Sequence, residues 1–248
     1  MSASIPQITF NRKAVHPVEC VKGGWNLIKD QYWLILGMCF VGAVITAAVG
    51  LLLGPMMCGL YLTFFALRRR QPIEFGMLFK GFDYVLQSII ASLIHSVPVI
   101  IIIVPAYILF YVFFLVAMVA QGSREPNLLV WLLIMLVYAV FWLVVIAVIM
   151  FVSIGFMFVY PLIVDRGLTA LDAIKLSFKA AMANFVGLLG LIGLNFVLSI
   201  AGVLMCFIGV YFVLPISYSA IAIAYEQVFG LREGLITPNV PPPPPVFT

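Results

Sequence analysis

The amino-acid sequence predicts an all-α, polytopic membrane protein with six transmembrane helices, and two observations predict it first. Of the 248 residues, 65% are hydrophobic and only 9% are charged, and the mean hydropathy is +1.23. Soluble domains carry roughly 25% charged residues, so this composition excludes that class. Four long stretches, 31–67, 84–123, 126–164 and 180–225, contain no Asp, Glu, Lys or Arg. Uncharged apolar stretches of this length are typical of helices that cross a membrane.

The first uncharged stretch is long enough for two short spans. Gly50 and the Gly54-Pro55 pair interrupt its run of large apolar side chains. Glycine and proline are the residues that most often end a helix. We therefore expect span 1 at about 31–50 and span 2 at about 52–68.

The second and third stretches predict one tall helical hairpin made of spans 3 and 4. As a single helix, 84–120 measures about 55 Å, which exceeds a hydrocarbon core of about 30 Å. Pro98 and Pro105 are expected to kink it, and tilt can absorb part of the excess length. The run at 127–164 is similarly long and forms the second arm.

The last stretch predicts spans 5 and 6. Residues 185–226 fit two helices that are broken near Gly202 or Cys206, and Pro215 lies inside the second of them.

The distribution of basic residues supports this count. When the N-terminus is placed in the cytoplasm, twelve of the thirteen basic residues lie in cytoplasmic segments, and only Arg124 lies outside. The twelve are Arg12, Lys13, Lys22, Lys29, Arg68, Arg69, Arg70, Lys80, Arg166, Lys175, Lys179 and Arg232. This asymmetry follows the positive-inside rule and predicts that both termini are cytoplasmic. Since topology explains the basic charge, we expect no nucleic-acid partner.

Three apolar stripes with helical spacing precede spans 1, 3 and 5. They are Val18, Val21, Trp25, Ile28 and Tyr32; Phe75, Leu78, Phe82, Val85 and Ile89; and Leu171, Ile174, Phe178, Ala181 and Phe185. Each predicts an amphipathic helix, and we expect the three helices to lie in the membrane interface. Alternatively, these segments only extend the following spans into the cytoplasm. Thr169 and Asp172 are spaced like a capping box at the start of the third helix.

The stripes also indicate internal repetition. The third stripe follows the first after 153 residues, and this offset aligns Gln31 with Asn184. The sequence therefore predicts a cytoplasmic segment at 1–14 and a single membrane domain at 15–232. The possible repeats within this domain are 15–70, 71–166 and 167–232.

Residues 233–248 form a proline-rich cytoplasmic tail that favours a polyproline II conformation. Such a tail is either a ligand for an aromatic groove or a solvated end.

Few residues inside the spans can carry chemistry. In "SLIHSVPVI", His95 is the only titratable imidazole within a span, and Ser92 and Ser96 accompany it as a possible intramembrane polar site. The hydroxyl of Ser92 is placed to satisfy one ring nitrogen, so a packing role competes with a functional one. We find no catalytic motif, no metal-ligand spacing and no sign of a cofactor.

Basic side chains near the cytoplasmic ends of the spans are possible lipid headgroup contacts. They are Arg68, Arg69, Arg70, Lys80, Lys175 and Lys179. Such contacts contribute about 1 kcal/mol each near an anionic membrane surface. The alternative is that these residues only fix the topology.

Three segments resemble a bacterial membrane protein superfamily that includes YciC-like proteins and the membrane domain of some glycerophosphodiester phosphodiesterases. The segments are "GPMMCGLYL", "LTFFALRRRQPIEFGMLFKGFDYVL" and "YPLIVDRGLTALDAIKLSFKAAMANFVGLLGL". The resemblance implies a six-span protein of the bacterial inner membrane. It does not imply hydrolase activity, because the metal-binding carboxylates of those enzymes belong to a soluble domain that this sequence does not contain.

Together these features predict a non-enzymatic scaffold, accessory subunit or lipid-organising protein. Its expected partners are membrane lipids and other membrane protein subunits. The alternative is a transporter or channel for a neutral or amphiphilic solute, in which Pro98, Pro105 and Pro215 break helices near a central cavity.

Overall fold

The computed structural model describes residues 9–121, 128–204 and 209–231, and the regular structure in these ranges is entirely helical. Six helical segments are long and apolar enough to cross a membrane. The predicted fold class of an all-α, six-span membrane protein is therefore confirmed. The tail at 233–248, together with Arg124, Cys206 and Arg232, lies outside the described residues.

Nine α-helices form this part of the chain. They are α1 (Pro17–Ile28), α2 (Tyr32–Ala48), α3 (Leu53–Arg68), α4 (Val85–Gln121), α5 (Leu128–Phe156), α6 (Val159–Arg166), α7 (Ala170–Ala183), α8 (Phe185–Leu204) and α9 (Gly209–Phe229). Short 3₁₀ helices occupy Lys29–Gln31 and Gly50–Leu52, and a longer one occupies Phe75–Tyr84.

The helix boundaries follow the predicted spans closely, with two differences. The first concerns proline: α4 runs without interruption through Pro98 and Pro105, and α9 runs through Pro215. An internal proline removes one backbone hydrogen bond, but a membrane-embedded helix retains its remaining bonds because no water competes for them. The prolines therefore do not divide these helices, and the kink expected at Pro98 and Pro105 stays a prediction.

The second difference is a break in span 4, which the sequence predicts as one run. Helix α5 ends at Phe156 and α6 begins at Val159. The buried hydroxyl of Ser177, from α7, donates to the Gly155 carbonyl (2.6 Å) and accepts from the Phe158 N–H (3.2 Å). Thus a side chain from another helix satisfies the backbone groups that the break exposes.

The segments that precede spans 1 and 5 are α-helices with a narrow buried face. This face consists of Cys20, Gly24 and Ile28 in α1, and it includes Ala173, Ser177 and Ala181 in α7. The two sets are separated by the same 153 residues as the apolar stripes. Large side chains of the stripes, such as Val18, Trp25 and Leu171, are exposed. Placement of these helices in the membrane interface stays a prediction.

The segment that precedes span 3 is a 3₁₀ helix, whereas its stripe predicts an α-helix. It packs Leu78 and Gly81 against α3, and a methyl group on Gly81 would overlap the Pro55 carbonyl. Likewise, a methyl group on Gly59 of α3 would overlap the Leu78 carbonyl. Backbone-to-backbone packing of this closeness requires glycine on both sides. The other side of the segment exposes Phe75, Phe79 and Phe82.

Burial differs sharply between the spans. In an 18-residue stretch of the α3 span 72% of the residues are buried, against 6% for α4. Helix α3 is surrounded by α1, α2, α4, α6, α9 and the 3₁₀ segment. Helices α4 and α5 instead pair along an aromatic seam, in which the ring centroids of Phe110 and Tyr138 are 4.5 Å apart.

Candidate functional site

The ends of α3, α6 and α9 meet at one end of the bundle. Each helix is followed closely by a residue in the left-handed region: Arg70 (φ 57°), Gly167 (φ 64°) and Gly230 (φ 65°). Such residues commonly terminate helices, because they turn the chain away from the helix axis. The three helices therefore stop at a shared level, where their polar side chains come together.

Asp165 is the centre of this polar cluster. Its carboxylate is fully buried, with Oδ1 3.2 Å from Arg69 Nη2 and Oδ2 3.0 Å from Arg166 Nε. The hydroxyl of the buried Tyr225 donates to Oδ2 at 2.9 Å. The Asp165 carboxylate thus contacts Arg69 at the end of α3, the adjacent Arg166 in α6 and Tyr225 in α9.

Two further contacts extend the cluster across the end of α9. Arg166 Nη2 donates to the carbonyls of Phe229 and Gly230, both at 2.9 Å, which satisfies the carbonyls that a helix end leaves open. Arg68 Nε lies 2.7 Å from a carboxylate oxygen of Glu226, and the Arg68 side chain is half exposed. The arrangement ties the three helix ends together through charged groups.

A second polar cluster attaches the N-terminal segment to the end of α9. The buried Asn184, between α7 and α8, accepts from the Ala14 N–H (2.8 Å) and donates to the Asn11 carbonyl (3.0 Å). The Asn11 N–H in turn donates to the Val228 carbonyl at 2.8 Å. These bonds fix residues 11–14 between the α7–α8 junction and the end of α9.

Two residues of the predicted intramembrane site, Ser92 and Ser96, form hydrogen bonds with different partners. The hydroxyl of Ser92 donates to the Ser88 carbonyl (2.9 Å) and shares a hydrogen bond with the Tyr160 hydroxyl (3.0 Å). The hydroxyl of Ser96 donates to a carbonyl of its own helix, that of Leu93, at 2.9 Å.

His95 lies against Phe156, with ring centroids 4.7 Å apart. Its Nε2 atom is buried and has no hydrogen-bond partner among the described residues. The expected hydrogen bond between Ser92 and His95 is thus replaced by bonds of Ser92 to Ser88 and Tyr160.

The predicted headgroup residues fall into two groups. Arg68 and Arg69 have carboxylate partners, whereas the side chains of Arg70, Lys80, Lys175 and Lys179 are exposed. Exposure leaves the latter available for lipid phosphate, and a role for any of the six in lipid binding stays a prediction.

Sequence reasoning missed Asp165, Tyr225, Asn184 and Ser177 as organising residues. A signal existed for Asp165, because it is the first charged residue after the uncharged run 126–164. Tyr225 gave none, since a tyrosine at the end of an apolar helix is ordinary. Within the described ranges, no group of three or more His, Cys, Asp or Glu side chains is placed to hold a metal ion.

Two apolar clefts lie between the spans. One, of about 230 Å³, lies along the α4–α5 seam and is lined by Phe110 and Tyr138. The other, of about 330 Å³, lies between α2, α3 and α9 and is lined by Thr46, Met56 and Tyr218. His95 lines neither of them.

Comparison of the chain with protein-family models, curated proteins and solved structures found no match.

Proposed function

We propose that this integral membrane protein is a non-enzymatic scaffold or accessory subunit of the bacterial inner membrane that organises lipids and neighbouring spans around its helices. Both termini are placed in the cytoplasm, as the distribution of basic residues predicts. The observation that carries the proposal is a contrast between two parts of the protein. Ion pairs and hydrogen bonds join the ends of α3, α6 and α9, which we call the body, whereas the hairpin of α4 and α5 is apolar and largely exposed.

The charged groups near the spans support a structural role. Asp165, Arg69 and Arg166 are engaged with one another and with helix ends. A carboxylate that is held by two guanidinium groups and a tyrosine hydroxyl is a poor general base, because its oxygens are already engaged.

The hairpin supports a role in lipid or protein association. Helix α4 has 37 residues, or about 55 Å, and most of its large side chains are exposed. Full immersion of this helix in a core of about 30 Å requires a tilt beyond the usual range of up to about 40°. Association with another apolar helix, or local thickening of the bilayer, relieves such a mismatch.

Extraction in lipid-preserving polymer discs tests the proposal. We expect the chain to leave the membrane with a second protein or with a lipid composition that differs from that of the bulk membrane. Native mass spectrometry of the discs measures both. A chain that always emerges alone, with lipid in the bulk proportion, contradicts the proposal.

A transporter or channel for a neutral or amphiphilic solute is the second candidate, and the unpaired Nε2 of His95 is the observation that favours it. A buried polar atom without a hydrogen-bond partner among the described residues is uncommon, whereas the uninterrupted course of α4 through Pro98 and Pro105 weakens the idea of broken helices. Vesicle flux of uncharged solutes discriminates the two candidates. Flux above that of protein-free vesicles that disappears in His95→Ala supports transport, and its absence supports the scaffold.

A further inference from the structure

A cleft of about 620 Å³ lies where the N-terminal segment meets the junction of α7 and α8. Lys13 and Val15 line one side, and Met182, Asn184 and Val186 line the other. Its volume lies within the range of about 300–1,000 Å³ that is typical of small-molecule sites.

The cleft lies at a membrane boundary. Helix α8 is a candidate span that begins at Phe185, directly after the cleft residue Asn184. The preceding helix α7 exposes Lys175 and Lys179, as expected for a segment outside the hydrocarbon core. The cleft is therefore at the depth of the lipid headgroups.

Close packing holds the shape of the cleft. Asn184 uses both of its amide atoms to bind residues 11–14. On α8, a methyl group on Gly187 would overlap the Val15 carbonyl, and one on Gly190 would lie 2.9 Å from Pro17 Cγ. The N-terminal segment thus rests directly on the backbone of α8, so the cleft is built into the fold.

The cleft is positively charged at one end. Lys13 lies in the left-handed region (φ 53°), where its N–H reaches the Ala183 carbonyl (3.4 Å). The side chain of Lys13 is exposed, so its ammonium group contributes a positive charge to the residues that line the cleft.

The other wall is apolar. Val186 is 82% exposed and Met182 is 38% exposed, and Val186 lies within a span. A free anion beside Lys13 leaves these side chains uncovered, whereas a ligand with both an anionic group and an alkyl chain covers them.

We propose that this cleft binds a phospholipid with an anionic headgroup, its phosphate beside Lys13 and one acyl chain along Val186. The proposal rests on the lipid-organising function given above and identifies one lipid class and one site for it.

Titration of the full chain with dioleoylphosphatidylglycerol in detergent, followed by native mass spectrometry, tests the proposal. Dioleoylphosphatidylcholine, with the same acyl chains and no net charge, serves as the reference lipid. We expect the first bound phosphatidylglycerol to be about fivefold weaker in Lys13→Gln, which is the effect of one cationic contact of about 1 kcal/mol. Lys13→Arg should restore the affinity.

Two further variants separate the site from general charge effects. Val186→Trp fills the cleft at an exposed position and should also weaken binding, whereas Lys22→Gln removes an exposed charge from α1 and should not. Equal weakening by Lys13→Gln and Lys22→Gln overturns the site. If inorganic phosphate displaces the bound lipid, the cleft is a phosphate site and the assignment of a phospholipid to it is wrong.

The outcome is distinguishable from failure of the proposed function. If the chain retains selected lipid in polymer discs but Lys13→Gln has no effect, only the cleft assignment is wrong. If the chain retains neither selected lipid nor a partner protein, the proposed function fails as well.

Discussion

Helices α3 and α4 are both apolar spans, yet α3 is buried within the protein and most of the surface of α4 is not covered by other helices. The difference lies in what surrounds each helix, since α3 buries large side chains such as Tyr61, Phe64 and Phe65, whereas most large side chains of α4 are exposed. Helix α3 also contains Gly54 and Gly59, where a methyl group would overlap neighbouring backbone. The few buried positions of α4 are also small, such as Ser88, Ala91 and Ala106. In both spans, small residues therefore mark the places where helices approach most closely.

We expect the largest loss of stability from a substitution at the ends of α3, α6 and α9, where the body is held together. Asp165→Ala leaves Arg69 and Arg166 without their shared carboxylate, and we expect a loss of about 3–5 kcal/mol in the free energy of unfolding. Unfolding by SDS in mixed micelles measures this loss. Glu226→Gln is the matched control, since its partner Arg68 is half exposed, and it should cost no more than about 1 kcal/mol. Equal losses contradict the central position of Asp165.

The next effect concerns the contact between α3 and the 3₁₀ segment. Gly81→Ala forces a methyl group into the Pro55 carbonyl, so we expect a loss of about 3 kcal/mol in the same unfolding assay. Gly76→Ala lies in the same segment and meets nothing within 4 Å, so it should leave stability unchanged. If both variants are neutral, the close backbone contact is not required.

A smaller effect is expected at the break in span 4. Ser177→Ala removes the partner of the Phe158 N–H and the Gly155 carbonyl, which should cost about 2 kcal/mol. Ser199→Ala removes a hydroxyl that donates to the carbonyl of Asn195 in its own helix, and it serves as the control that should be nearly neutral. The difference in SDS midpoint between the two variants is the measurement. A neutral Ser177→Ala would show that the break needs no side-chain partner.

Substitutions in the hairpin of α4 and α5 should reduce the free energy of unfolding least. Phe110→Leu removes the ring contact with Tyr138, which should cost about 1 kcal/mol in mixed-micelle unfolding. Phe113→Leu, at a 45% exposed position of the same helix, should cost less. A loss at Phe110 as large as that at Asp165 would place the hairpin within the cooperative core and remove the contrast with the body.

The positions of the spans were predictable from the sequence because charge and apolar length determine them. The N-cap of α7 was also predictable: Thr169 Oγ1 accepts from the Asp172 N–H at 3.3 Å, which confirms the capping prediction. The carboxylate of Asp172 accepts from the Thr169 hydroxyl, however, and so replaces the expected bond to the backbone.

Contacts between distant residues were not predictable. Gly81 and Pro55, or Asp165 and Tyr225, are brought together only by the packing of whole helices, and no periodicity in one segment contains that information. The predicted site at His95 illustrates the same point, since Ser92 has an alternative partner in Tyr160, which follows it by 68 residues.

Labelling with a photoactivatable phospholipid tests the contrast between body and hairpin most directly. The native chain is irradiated in vesicles whose lipids carry a carbene precursor in the acyl chain, and the modified residues are mapped by mass spectrometry. The account predicts dense labelling along α4, at residues such as Ile101 and Leu109, and little labelling of α3 around Phe64. Labelling of α4 that is as low as that of α3 would contradict it.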